Sequence, residues 1–332
     1  MFMKTKISNT GKVQTISQWF SRAMLIAFAL MTMNGSLMAQ PRAAGDPRVL
    51  ISDEDQFFVN AAWSPDGQTL AFSSANFNGI WLADANGENK RLLTADEAAG
   101  FGFSWSPDGR HILARTAETE NRRRFHLVKV FDTENSSYVI LQEKTRQLKG
   151  IPVFTPDGSQ VAMVMDRNLE LKPVGRESER RTDRNISVVY PVEDKIISTQ
   201  LTTRESKTMA DFEGRFIFNE RLSPEGKKMV FQVQGKGLYV INTDGTGLTH
   251  LGHGEYASWM PASDFVVVSV VEDNGYYITG GELYAVNVNT GESHHLTAHT
   301  GVTALKPAVS PSGKRVAFDN PDDGSIYVME LE

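Results

Sequence analysis

The chain has 332 residues, a formal net charge of −6 and no cysteine, with 34 Lys and Arg against 40 Asp and Glu. The missing cysteine excludes disulfides, thiolate metal sites, thiol nucleophiles and a lipidated N-terminal cysteine. The acidic balance excludes non-specific nucleic-acid binding, which needs a basic stripe for phosphate contacts.

In chain order, residues 1–39 read as an export signal. Lys4, Lys6, Lys12 and Arg22 precede an apolar run from Ala23 to Leu30, and Ala39 offers a small residue at a cleavage point. The run is too short to span a bilayer, which takes about 20 apolar residues. This leader carries four basic and no acidic residues, so its removal takes the formal charge from −6 to −10. A short linker, 40–46, leads into a strand-like segment, Arg48-Val49-Leu50-Ile51-Ser52.

Six times afterwards a bulky apolar residue stands two places before a proline: Trp63-Ser64-Pro65-Asp66-Gly67, Trp105-Ser106-Pro107-Asp108-Gly109, Phe154-Thr155-Pro156-Asp157-Gly158, Leu222-Ser223-Pro224-Glu225-Gly226, Trp259-Met260-Pro261-Ala262-Ser263 and Val309-Ser310-Pro311-Ser312-Gly313. Proline sets φ for a tight turn, the acidic residue suits its third position, and glycine supplies the positive φ at its end. A second strand follows each turn, as in Thr69-Leu70-Ala71-Phe72. A third is rich in aromatic and β-branched residues, as in Leu238-Tyr239-Val240-Ile241. Hairpin signals such as Thr243-Asp244-Gly245 introduce a fourth. Four strands per repeat, without helical periodicity, predict a β-propeller.

The sixth repeat stops at Leu331 after its third strand, and the segment at 48–52 looks like the missing fourth. The reading is therefore an all-β, six-bladed propeller of four-stranded antiparallel blades over residues 47–332, closed by an N-terminal strand that completes the last blade. The motif prolines are 42, 49, 68, 37 and 50 residues apart. The long third interval, with its mixed-charge run 176–184 and strand-like pieces at 186–190 and 195–201, is read as an insertion around 172–215 in an elaborated third blade. A degenerate seventh blade is the alternative, disfavoured because the interval shows too few strands. The apolar residue opening each motif is expected to wedge between blades.

The Trp-Ser-Pro-Asp-Gly motif, the strand after it, and the Asp-Ala-Asn-Gly or Thr-Asp-Gly hairpin leading to Arg91-Leu92-Leu93-Thr94 or Leu248-Thr249-His250-Leu251 resemble the WD-type repeats of the TolB-like propeller family. The resemblance covers about residues 47–331. It implies a propeller serving as a periplasmic adaptor, a hydrolase-gating domain or a stand-alone module. True TolB proteins carry a separate domain ahead of the propeller, whereas only 40–46 lie between the expected cleavage point and the first strand here, so the inner-membrane half of the adaptor role does not carry over.

No Gly-x-Ser-x-Gly elbow, phosphate loop or paired-histidine helix motif occurs, so no catalytic residue is assigned. Titratable residues instead concentrate in the inter-blade connections: Asp53, Glu54 and Asp55, then Asp96 and Glu97, then His253 and Glu255, and His299. Propeller topology places these connections around one mouth, where a partner would bind. The expected function is a secreted or periplasmic binding or scaffolding module that recognises a protein or peptide of the cell envelope there. It is expected to be a monomer, with no nucleic-acid ligand, no membrane anchor after cleavage and no cofactor. The alternative is a divalent-metal-dependent hydrolase or lyase acting on a small or carbohydrate substrate at the same mouth. Arg122, Arg123 and Arg124 are read as an exposed loop tip.

Overall fold

The repeat turns form as their residue types dictate, with Gly67, Gly109, Gly158, Gly226 and Gly313 all near φ +70°. In the first, the Ser64 hydroxyl donates to Asp66 Oδ1 at 2.6 Å, and that carboxylate also accepts the Gln68 N–H at 3.0 Å. The computed structural model describes residues 40–175 and 187–332; the leader at 1–39 and the charged run at 176–184 lie outside the described residues.

Between these turns the chain folds almost entirely as antiparallel strands. β1 (Arg48–Ile51) comes first, followed by a sheet of β2 (Phe58–Trp63), β3 (Thr69–Ser74), β4 (Ile80–Asp84) and β5 (Arg91–Thr94). The second sheet holds β6 (Ser104–Trp105), β7 (His111–Glu120), β8 (Arg123–Asp132) and β9 (Tyr138–Thr145). The third holds β10 (Leu148–Phe154), β11 (Gln160–Met165) and β12 (Asn168–Pro173), and the fourth β13 (Ser187–Val192), β14 (Lys195–Gln200) and β15 (Ser206–Asp211). The fifth holds β16 (Ile217–Leu222), β17 (Lys228–Val233), β18 (Gly237–Asn242) and β19 (Thr249–Gly252). The sixth holds β20 (Glu255–Trp259), β21 (Phe265–Asp273), β22 (Ile278–Asn287) and β23 (Ser293–His295). The seventh holds β24 (Leu305–Val309), β25 (Arg315–Asn320) and β26 (Ser325–Glu330), and β1 is its outer strand.

The propeller therefore has seven blades, not the six that the motif count implies. Among the described residues five blades are four-stranded and two, the third and fourth, are three-stranded. Buried residues fall into seven hydrophobic clusters, each shared by two neighbouring blades. One of them joins the seventh blade to the first through Ile51, Ile326 and Val328 against Phe58, Leu70 and Phe72. Both faces of a blade are covered in this way, which is why Val266, Val267 and Val268 run consecutively with no exposure at all. The ring closes as expected from the split repeat, with Arg48 opposite Val328 and Ile51 opposite Ile326.

The extra blade is β13–β15, in the stretch assigned to an insertion, and its three strands match the second, third and fourth strands of the other blades, with the β14–β15 bulge at Ile196 placed like those at Ile80 and Leu238. Elsewhere the motif turn joins first and second strands at the end of the ring away from the inter-blade connections. β12 finishes at that far end, where Val174 N–H donates to Ser159 O at 2.9 Å. The β13–β14 turn lies among the inter-blade connections, as the second-to-third-strand hairpins do, with Phe212 N–H donating to Asp194 O at 2.8 Å and Arg167 pairing with Glu193 at 3.0 Å. No Pro-Asp-Gly sequence stands immediately before β13 to announce it.

The same arrangement decides which motif residues act between blades. The indole N–H of Trp63 donates to Ala308 O at 3.0 Å, that of Trp105 to Ala62 O at 3.1 Å, and that of Trp259 to Arg221 O at 3.0 Å, each on the first strand of the preceding blade. Glycines of the turns lie against the preceding turn's proline, Gly67 on Pro311 and Gly109 on Pro65. Gly226 meets nothing among the described residues, and Leu222 is 38% exposed rather than wedged.

Candidate functional site: the propeller mouth

The mouth is the end of the ring that carries the inter-blade connections and the hairpins between second and third strands; in the first blade the two meet where Gly79 N–H donates to Asp96 O at 3.0 Å. First strands enter it through bulges, with positive φ at Asn60, Gly150, Asn219, Tyr256 and Lys306. A bulge turns one backbone polar group out of the ladder, and the preceding blade satisfies it. Asn60 N–H donates to both carboxylate oxygens of Asp319 at 2.8 and 2.9 Å, Lys306 N–H to Ser269 Oγ at 2.9 Å, and Tyr256 N–H to Gln232 Oε1 at 3.3 Å. In the second blade the polarity is reversed, and Arg115 Nη1 donates to Gly150 O at 2.8 Å. Arg115, Gln232, Ser269 and Asp319 all stand six residues after the last residue of their motifs. The signal that identifies them is a polar residue at constant offset in an otherwise apolar second strand.

Cations and aromatic rings alternate across four blades. Lys306 Nζ lies 4.8 Å from the Phe77 ring centre and 5.6 Å from that of Tyr256, and 3.6 Å from Asp319 Oδ2. Phe77 meets Phe101 edge-on at 5.5 Å, and the Arg115 guanidinium sits 5.4 Å from the Phe101 ring centre. Burial pushes the Asp319 carboxyl up to about 6, against the opposing pull of Lys306 and the Asn60 N–H. Burial also pushes up the carboxyl of Glu255, helped by the nearby Asp273.

The acidic connections behave differently from the expected open rim. Asp53 is ion-paired with Lys90 and accepts the Asp55 N–H at 3.1 Å. Asp96 pairs at 2.8 Å with Lys129, a buried lysine on β8, and Glu97 pairs at 3.2 Å with Arg124. Glu54, His253, Glu255 and His299 are exposed at three different junctions, His253 and Glu255 sharing the one that leads into β20, and Asn121 and Arg122 form the positive-φ tip of the β7–β8 hairpin. Among the described residues no three His, Asp or Glu side chains come together as a group that could hold a metal ion. The Asp96–Lys129 pair is structural. Asp96→Ala should cost about 1 to 2 kcal/mol by stranding the buried ammonium, read as a lower midpoint in urea denaturation.

The mouth instead concentrates aromatic surface. With the exception of Tyr138, every exposed aromatic side chain among the described residues lies on a connection, hairpin or strand end of this face, including Phe101, Phe216, Phe218 and Tyr256. The β21–β22 hairpin projects beyond its neighbour β20, whose pairing ends at Ser269, and carries Tyr276 (94% exposed) and Tyr277 (69%) at its tip.

Fold and mouth together define a seven-bladed β-propeller with an aromatic entrance. The chain matches no protein-family model and no curated protein sequence. Among solved structures it is similar to TolB from Acinetobacter baumannii, at 16% identity and a TM-score of 0.45, over 85% of this chain and 66% of that one, just under two thirds of its length. It is also similar to an oligogalacturonate lyase in complex with manganese, at 15% identity and a TM-score of 0.48, over 88% of this chain and 95% of that one. No helix of the described residues is long and apolar enough to cross a membrane.

Proposed function

We propose that this propeller is a binding or scaffolding module of the periplasm or cell exterior that captures a protein or peptide of the cell envelope at its mouth, acting as a monomer and without a cofactor. The observation that carries this reading is the confinement of exposed aromatic side chains to one end of the ring. Rigid, amphipathic rings dominate binding energy at protein interfaces, and a large exposed apolar patch on a folded chain is a docking surface more often than an accident. The basic n-region and short apolar run at the N-terminus support export. The acidic connections contribute by holding the blades that present the rings.

Affinity capture from the native envelope tests the proposal. A Tyr276→Ser/Tyr277→Ser variant should lose at least about tenfold in partner affinity, the weight of one aromatic hot spot or more. Its folding stability should stay within about 0.5 kcal/mol of the parent, because both side chains are exposed on a hairpin tip. Undiminished capture by this variant would remove the aromatic mouth as the docking surface.

A further inference from the structure

At the outer rim of the mouth, on the first blade, between the connection 52–57 and the hairpin 75–79, lies an open groove of about 490 Å³. Its aromatic surfaces are the Trp81 indole and the Phe57 ring, and both are fixed from behind. Phe57, 53% exposed, rests so closely on Gly324 that a Cβ there would fall 2.1 Å from the ring. Trp81 lies over Gly79 in the same manner and meets the Phe58 ring at 5.7 Å. Both rings line the groove, together with Leu92, Ala75 and Ala95.

The polar groups are equally set. Asn76 Oδ1 accepts the Ser74 hydroxyl and the Asn78 N–H, the latter at 3.1 Å, while Asn78 Oδ1 accepts the Ala98 N–H at 3.0 Å. With both amide oxygens engaged by the protein, what Asn76 and Asn78, both lining the groove, have left to offer is their NH₂ donors. Gln56 adds a further amide and Asp55 a carboxylate acceptor. No lysine, arginine or histidine lines the groove.

We propose that this groove is a binding site for an uncharged sugar chain. Apolar ring faces held open to solvent match the C–H faces of pyranose rings, and amide donors beside a carboxylate acceptor match hydroxyls, which both donate and accept. The volume falls in the range of small-ligand sites. Charge selects within the class. A uronate or phosphorylated sugar would meet Asp55 with no cation to offset it, and an amine would satisfy Asp55 while leaving the fixed NH₂ donors without an acceptor.

Isothermal titration of the whole protein with hexasaccharides of glucose (β-1,4 and α-1,4) and of N-acetylglucosamine tests this, with a galacturonic acid hexamer and trilysine as charged controls. At least one neutral hexasaccharide should bind with a dissociation constant below about 1 mM. Phe57→Ala and Asn76→Ala should each weaken it tenfold or more, and Tyr276→Ser/Tyr277→Ser should leave it unchanged, which separates this groove from the tyrosine hairpin of the sixth blade. The proposal is overturned if no neutral sugar binds, if a charged control is preferred, or if binding survives both groove substitutions in folded protein.

Discussion

Trp63→Ala is expected to lower the unfolding free energy by about 3 to 5 kcal/mol, and Trp63→Phe by about 1 to 2 kcal/mol. The indole is buried in the cluster shared by the first and seventh blades, its N–H donates to Ala308 O, and the Arg315 guanidinium covers its ring at 4.7 Å. Alanine removes the packing and opens a cavity between the first blade and the seventh, the blade that the N-terminal strand β1 completes. Phenylalanine keeps most of the packing and strands only the Ala308 carbonyl. Trp105→Ala makes the comparison, because Trp105 makes the same hydrogen bond between the first and second blades but is only half-buried, and should cost less. Urea denaturation measures all three. Equal midpoints for wild type and Trp63→Ala would contradict the seam, whereas a reduced m-value with loss of midpoint would show that opening it separates blades before the rest unfolds.

What the sequence makes legible is whatever a short stretch encodes by itself. The turn chemistry of Pro65-Asp66-Gly67 and its repeats is local, and so is the match between the 48–52 segment and other fourth strands, so propeller architecture and terminal closure can both be read. The blade number cannot be read from the motif, because the fourth blade has none: no Pro-Asp-Gly immediately precedes β13, and its β13–β14 turn is made by Glu193 and Asp194. Its third strand, Ser206–Asp211, alternates too little apolar character to announce itself, with only Ala210 buried. The acidic mouth fails for a different reason. Asp96 and Glu97 look free in sequence, and only the pairing of β8 beside them shows that Lys129 and Arg124, some thirty residues on, meet them. Exposed aromatics such as Phe101, Phe216 and Tyr276 are unremarkable singly and become a surface only once the ring gathers their connections.

Asp319 gives the second large effect, in the dependence of stability on pH. Its carboxyl is buried where the seventh blade meets the first, and burial raises it from 3.8 in the unfolded chain to about 6 in the folded one. Between those values the native state holds a proton that the unfolded state has released, so stability falls as pH rises from about 4 to about 6 and then levels off. The contribution lost is at most about 3 kcal/mol, at 1.36 kcal/mol per pH unit of difference. Carboxylates of the repeat turns act in the opposite sense. The Ser64 hydroxyl and then the Gln68 N–H hold Asp66 below its ordinary value, so the stability it contributes is present above about pH 4 and is lost as pH falls below it. Subtraction separates the two. Asp319→Asn keeps an acceptor for the Asn60 N–H and removes the charge, while Lys306 retains the Phe77 and Tyr256 rings as neighbours. Unfolding free energies from urea titrations at pH 4 to 8 should therefore show wild type losing stability relative to Asp319→Asn through pH 5 to 6. Parallel curves for the two proteins would mean that the carboxyl is ionised throughout and that Lys306 and the Asn60 N–H outweigh its burial.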